Sequence, residues 1–248
     1  MDPIHQFEIT KFFVFGHIGG VEIAWTKSAL FMLISFAIIA LLMLGATRAR
    51  AMVPGRLQGV AEMSYEFVAN TLQNAAGPEG MKFFPLVFSL FMFVLTVNVI
   101  GLIPYTFAVT AQIIITVSLA LLVFVTVIVY GLWKNGLHFF KLFVPSGAPL
   151  YILPLLIPIE VLSFLTRPVS HSLRLFANIL AGHITLKVFA GFVTMLSTFG
   201  VLGWIGAILP FGMTVALTAL ELLVAFLQAY VFAILTCIYL NDAIHPGH

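Results

Sequence analysis

Ser170 to Lys187 reads SHSLRLFANILAGHITLK. It lies inside an apolar tract running from Pro149 to about Phe192, and a second such tract runs from Val201 to Leu240. At ~1.5 Å per residue, about 40 helical residues span ~60 Å, twice the ~30 Å core of a bilayer. Each tract is therefore two short spans or one long, tilted helix, and the fold turns on which. There is no turn signal between Val169 and Ala181, nor between Met213 and Leu240. Pro168 is better placed to kink a helix than to end it. The expectation is two long, strongly tilted helices, an antiparallel hairpin over 148–242 joined near LSTFGVLG.

Composition agrees with a membrane setting. The 248 residues are 62% hydrophobic and only 8% charged, with a mean hydropathy of +1.15. Water does not tolerate so much apolar surface on a soluble domain. The net charge of +2 is too small to argue for nucleic acid. The single cysteine, Cys237, cannot form an internal disulfide and reads as packing. The first 25 residues read as an N-terminal periplasmic segment. They lack a basic n-region, an apolar h-region and a cleavage site, so no removable signal peptide is expected. Neither an internal repeat nor a soluble domain is expected, only a single membrane domain over 1–248.

Moving outward from the hairpin, the first span covers about 26–46. Arg48, Arg50 and Arg56 follow it, which predicts a cytoplasmic end there and an N-terminus outside. From 54 to 76, Leu57, Val60, Ala61, Phe67, Val68 and Leu72 recur at helical spacing among Gln58, Glu62, Glu66 and Asn70. That predicts an amphipathic helix at the cytoplasmic interface, either lipid-bound or touching a partner, ended by NAAGPEG. Two further spans form a hairpin over 82–133, with Lys134, His138 and Lys141 on the inner side. The fold class is thus an all-α integral membrane protein with about five crossing helices and a cytoplasmic C-terminus.

Ionisable groups at membrane depth cost a few kcal/mol each, which makes them functional candidates. Glu160, Arg167 and Arg174 are spaced seven apart and drift only ~20° per step along one face. Asn178 lies near that face. His183, nine residues past Arg174, falls on the opposite side and ~13 Å further along. On the last helix Glu221 and Gln228 are seven apart and share a face. Arginine stays protonated at physiological pH, so it can attract a carboxylate but not relay its own proton. Histidine and glutamate can hold and release protons once burial and partners shift them. A fixed cation flanked by titratable groups suits a proton path with an electrostatic gate. Simpler readings stand beside this one. Arg167 and Lys187 could snorkel to opposite interfaces. His171 could be a packing histidine. Asn178, Gln228 and Asn98 could bond across helices. Arg174, deep in its tract, is the hardest to explain by structure alone.

The motifs SLRLFANILAGH and ELLVAFLQAYVFAILTCIYL resemble subunit a of the F-type rotary ATP synthases, and FFPLVFSLFMFVLTVNVIGLIP is similar to that family's earlier asparagine–glycine–proline span. The likeness covers about Met81 to Asp242. The pairing of His183 with Glu221 resembles the mitochondrial and related bacterial branch; many other bacterial members carry the two residue types in reverse. The resemblance implies a subunit of the inner membrane that is not catalytic alone, since ATP chemistry belongs to the F1 sector. It implies a c-subunit ring and b-type peripheral stalk subunits as partners, with membrane lipid and translocated protons, and no cofactor or metal. It implies that Arg174 faces the ring between two offset half-channels. His183 and Glu221 would line the periplasmic one, Asn178 and Gln228 would support them, and Glu160 and Asp242 would lie near the cytoplasmic outlet, with His171 also on the path. Two other classes fit the sequence less well. A self-contained transporter would usually show repeats and broken midplane helices. A haem carrier would need histidine partners for His171 and His183 in another span.

Overall fold

The computed structural model describes residues 11–18, 21–48, 55–103, 106–144 and 151–246. The described residues begin with a short antiparallel hairpin that the sequence reading missed. Strand β1 (Lys11–Ile18) pairs with β2 (Val21–Thr26), with Ile18 opposite Val21 and Lys11 opposite Thr26. The signal was present: two runs rich in aromatic and β-branched residues separated by a Gly-Gly pair.

Most of the remaining described residues are helical. Helix α1 is Lys27–Arg48, α2 Arg56–Gly80, α3 Phe84–Gly101, α4 Ile113–Asn135, α5 Leu153–Ser197 and α6 Gly200–Ile244. A 3-10 segment, Gly136–Phe143, extends α4. Among the described residues, five helical stretches are long and apolar enough to cross a membrane. The all-α membrane class holds, apart from the one small hairpin. The expected ends at Pro104, Pro149 and Arg50 lie outside the described residues.

Helices α5 and α6 each run 45 residues without interruption, so each long tract is one helix. Pro158 and Pro168 sit inside α5 without ending it, and Pro210 sits inside α6. The turn between the two helices is short. Thr198 N–H donates to Met195 O at 3.3 Å and Phe199 N–H to Leu196 O at 3.0 Å. Gly200 then takes φ +72°, a left-handed conformation that glycine adopts without a Cβ penalty.

Helix α2 leaves helical geometry at Gly77, with φ 67° and ψ −172°, immediately before Pro78. Proline pushes its predecessor out of the α region, and glycine accepts the positive φ. The helix turns inward through Ala61, Val68, Leu72 and Ala76. Leu57 and Val60, grouped with that face by spacing, are exposed.

The chain divides into two compact units, each discontinuous in sequence. The first comprises 1–40, 93–112 and 175–228; the second comprises 41–92, 113–174 and 229–248. In the second, the ring of Phe164 meets Phe124 at 5.1 Å and Phe143 at 5.4 Å. Gly131 leaves the space that the Phe139 ring occupies. At the end of α4, Lys134 contacts Glu79, and Asn135 Nδ2 donates to Ala243 O at 2.7 Å. The Ala243 carbonyl, in the last turn of α6 where intrahelical donors run out, is satisfied in this way. Many helical hydroxyls turn back on their own carbonyls, as Ser35 does to Phe31 and Thr236 to Phe232, whereas the buried Ser28 Oγ has no partner among the described residues. Cys237 is fully buried, in keeping with packing.

Candidate functional site

In the first unit, α3 approaches α6. Asn98 is buried, donates from Nδ2 to Ala225 O at 3.5 Å, and accepts from Thr110 Oγ1 at 2.8 Å. It is an interhelical link, as its surroundings of small residues suggested. Three residues on, Gly101 faces His183: a β-carbon on Gly101 would come within 3.8 Å of His183 Nε2. On the neighbouring residue, Gly182, a β-carbon would overlap Glu221 Oε1. Both Glu221 carboxylate oxygens are buried and lack a hydrogen-bond partner among the described residues. Thus α5 and α6, packing antiparallel here, bring Glu221 against the backbone beside His183. Glycine at 182 is what makes that approach possible. A buried carboxylate without a donor is expensive unless protonated or hydrated. Asn178 and Gln228 are half-buried on the same two helices. Gly101 and Gly182 were missed as site residues, although the Ala-Gly-His sequence placed a side-chain-free position directly before His183.

The second unit holds Glu160, Arg167, His171, Arg174 and Asp242. Arg167 does not simply reach for an interface. Its Nη1 donates to Asp242 Oδ2 at 2.6 Å, a charge-assisted bond between α5 and α6. Its guanidinium carbon also lies 5.2 Å from the Phe164 ring centroid and 5.1 Å from that of Tyr239, within cation–π range. Tyr239, three residues before Asp242 on one helical face, was not anticipated. His171 is only 3% exposed. Its ring centroid sits 3.9 Å from Phe232 and 5.9 Å from Tyr239, and its Nε2 has no partner among the described residues. These are the contacts of a packing histidine.

Arg174 differs from every other candidate. It is exposed, one helical turn past the buried His171, and makes no hydrogen bond or ion pair among the described residues. With Thr166, Val169, Ser170 and Leu173 it borders a shallow groove of about 490 Å³. Glu160 is half-buried two heptads before it. Among the described residues no cluster of His, Cys, Asp or Glu could hold a metal ion.

Comparison with known sequences gives the family. The family described as ATP synthase A chain matches residues 29–241. A protein of Rhodopseudomonas palustris strain HaA2 named "ATP synthase subunit a" is 70% identical over 247 residues, covering 100% of this chain and 99% of its own length. Proteins of that name from R. palustris strain BisB18 and Nitrobacter winogradskyi are 65% and 66% identical over 248 residues, with both chains covered completely. These sources are alphaproteobacteria, the branch expected from His183 and Glu221. The family match over residues 29–241 and relatives 65–70% identical over essentially the whole chain place it in the ATP synthase A chain family.

Proposed function

We propose that Arg174 is the fixed cation past which proton-carrying carboxylates of a c-subunit ring move. Membership in the family makes the chain a membrane subunit of a rotary ATP synthase, serving proton translocation in the Fo sector and not catalytic alone. The finer mechanism rests chiefly on one observation: Arg174 is exposed and has no acidic partner in the described chain. A lone cation on a membrane helix calls for an anion from outside. A ring carboxylate arriving protonated would ionise beside the guanidinium, which favours the charged form. The guanidinium, unable to lose its proton, would block direct transfer past itself.

In this reading His183 and Glu221 line the periplasmic half-channel, and the buried, donor-free carboxylate of Glu221 supports a hydrated or proton-exchanging site. Asn178 and Gln228 support that region. Glu160 and Asp242 lie toward the cytoplasmic outlet, and His171 borders the path. The subunit sits in the bacterial inner membrane with its N-terminus periplasmic and its C-terminus cytoplasmic. It contacts the b-type stalk, for which α2 is the candidate surface.

The test uses inner-membrane vesicles carrying the whole complex with Arg174→Ala. ATP-driven acidification is expected to vanish. Passive proton leak under an imposed gradient is expected to rise, because the half-channels lose their separator. Acidification at the parental rate would overturn the reading.

A further inference from the structure

The second unit contains two arginines on one face of α5, seven residues and ~10 Å apart. Both would attract a passing carboxylate, yet their surroundings differ. Arg167 is bonded to Asp242 and flanked by the rings of Phe164 and Tyr239. Arg174 is exposed and unbonded. A coupling mechanism that stops each carboxylate at one cation needs its neighbour silent, because a second free cation one heptad away would trap the same anion at a second place.

We propose that Asp242 is a positioning residue that silences Arg167, so that of the two arginines on this face of α5 only Arg174 is uncompensated. This inference rests on the functional reading of Arg174 given above. It gives Asp242 a duty other than carrying protons at the outlet. The carboxylate is taken up by the guanidinium at 2.6 Å, and removing that bond would release a cation into the ring-facing surface. Phe164 and Tyr239 hold the guanidinium on its other sides, so the pair has one defined geometry. Glu160, one heptad before Arg167 on the same face, makes no ion pair among the described residues, and α6 supplies Asp242 in its place.

The two duties predict opposite behaviour in a double variant. If Asp242 silences Arg167, Asp242→Asn slows ATP-driven acidification by about tenfold, as a trap of about 1.4 kcal/mol would. Adding Arg167→Gln then restores most of the rate, since the freed cation is gone. If Asp242 is itself a proton carrier, Asp242→Asn stays slow in the Arg167→Gln background. Vesicles carrying the whole complex would be compared at equal content of this subunit, with Arg174→Ala as reference. A parental rate in Asp242→Asn, or no recovery in the double variant, overturns the proposal. If Asp242→Asn fails to assemble, the exchanged pair Arg167→Asp/Asp242→Arg decides. Pumping by that variant supports the proposal, because it keeps the pair and adds no free cation; an assembled complex that does not pump overturns it. Should Arg174→Ala pump normally, the functional reading fails. Should only the Asp242 results depart, the reading of Arg174 stands and this inference falls.

Discussion

Glu221 presses a carboxylate oxygen against Gly182, into the volume that a β-carbon at residue 182 would occupy. Gly182→Ala therefore forces the carboxylate aside, although alanine suits a helix better by up to about 1 kcal/mol. Since a misplacement of about 1 Å can cost as much as ~100-fold, acidification in assembled complexes is expected to fall by about tenfold or more. An undiminished rate would show that the approach of Glu221 to α5 has no bearing on transport.

His183 and Glu221 occupy neighbouring positions in one unit, with Lys187 one turn beyond His183. If protons enter through them, the apparent titrations belong to the pair. The pH–rate profile of proton entry is then expected to change shape in Glu221→Gln, not only to drop in amplitude. Superimposable profiles after scaling would separate Glu221 from the entry path.

Thr110 is fully buried and supplies the 2.8 Å hydrogen bond to Asn98 Oδ1. Thr110→Val leaves that oxygen without its donor, at a cost of about 1–3 kcal/mol. Thermal denaturation of the detergent-extracted complex should move to lower temperature. Adding Asn98→Leu should recover part of the loss, because neither partner is then left orphaned.

The side chain of Phe139 fills the space above Gly131. Gly131→Ala overpacks this contact, and such crowding costs about 1–3 kcal/mol. Reduced retention of the subunit in membranes is expected, with relief from a second change, Phe139→Leu. Relief absent from the double variant would place the strain elsewhere.

A hydrogen bond from Lys134, and then its charge, holds the carboxyl of Glu79 below its ordinary value of 4.5. A lowered folded-state value means that this contribution is present above the ordinary value and disappears as pH falls through the lowered one. Lys134 also donates to Ile244 O at 3.4 Å. Hydrogen exchange at the last turn of α6 should therefore be faster in Glu79→Gln than in the parent at neutral pH. The difference should close in strong acid; one that persisted there would assign the effect to something other than this ion pair.

Much of the fold was legible because a bilayer leaves the chain few choices. Each long apolar tract had to satisfy its own backbone, and the lack of turn residues through Val169–Ala181 and Met213–Leu240 foretold the two unbroken helices. The break at Gly77–Pro78 could likewise be read from its letters. The N-terminal hairpin escaped because its alternation is short and follows no membrane-scale pattern. In the site, Arg174 stood out by type and depth alone. The partnership of Arg167 did not, since its acid lies 75 residues away and no spacing rule connects them.

By itself the sequence determined the membrane class, the presence of apolar stretches long enough to cross a bilayer and the set of residues that can hold charge or exchange protons. These depend on local periodicity, on the bilayer's thickness and on side-chain chemistry. Only the tertiary structure decided which of these groups are engaged. It bonded Arg167 to Asp242, packed His171 between rings, laid Glu221 against Gly182 and left Arg174 free. Such pairings depend on how two 45-residue helices register against each other, and that register comes from side-chain packing summed along their length, which no short stretch of sequence contains.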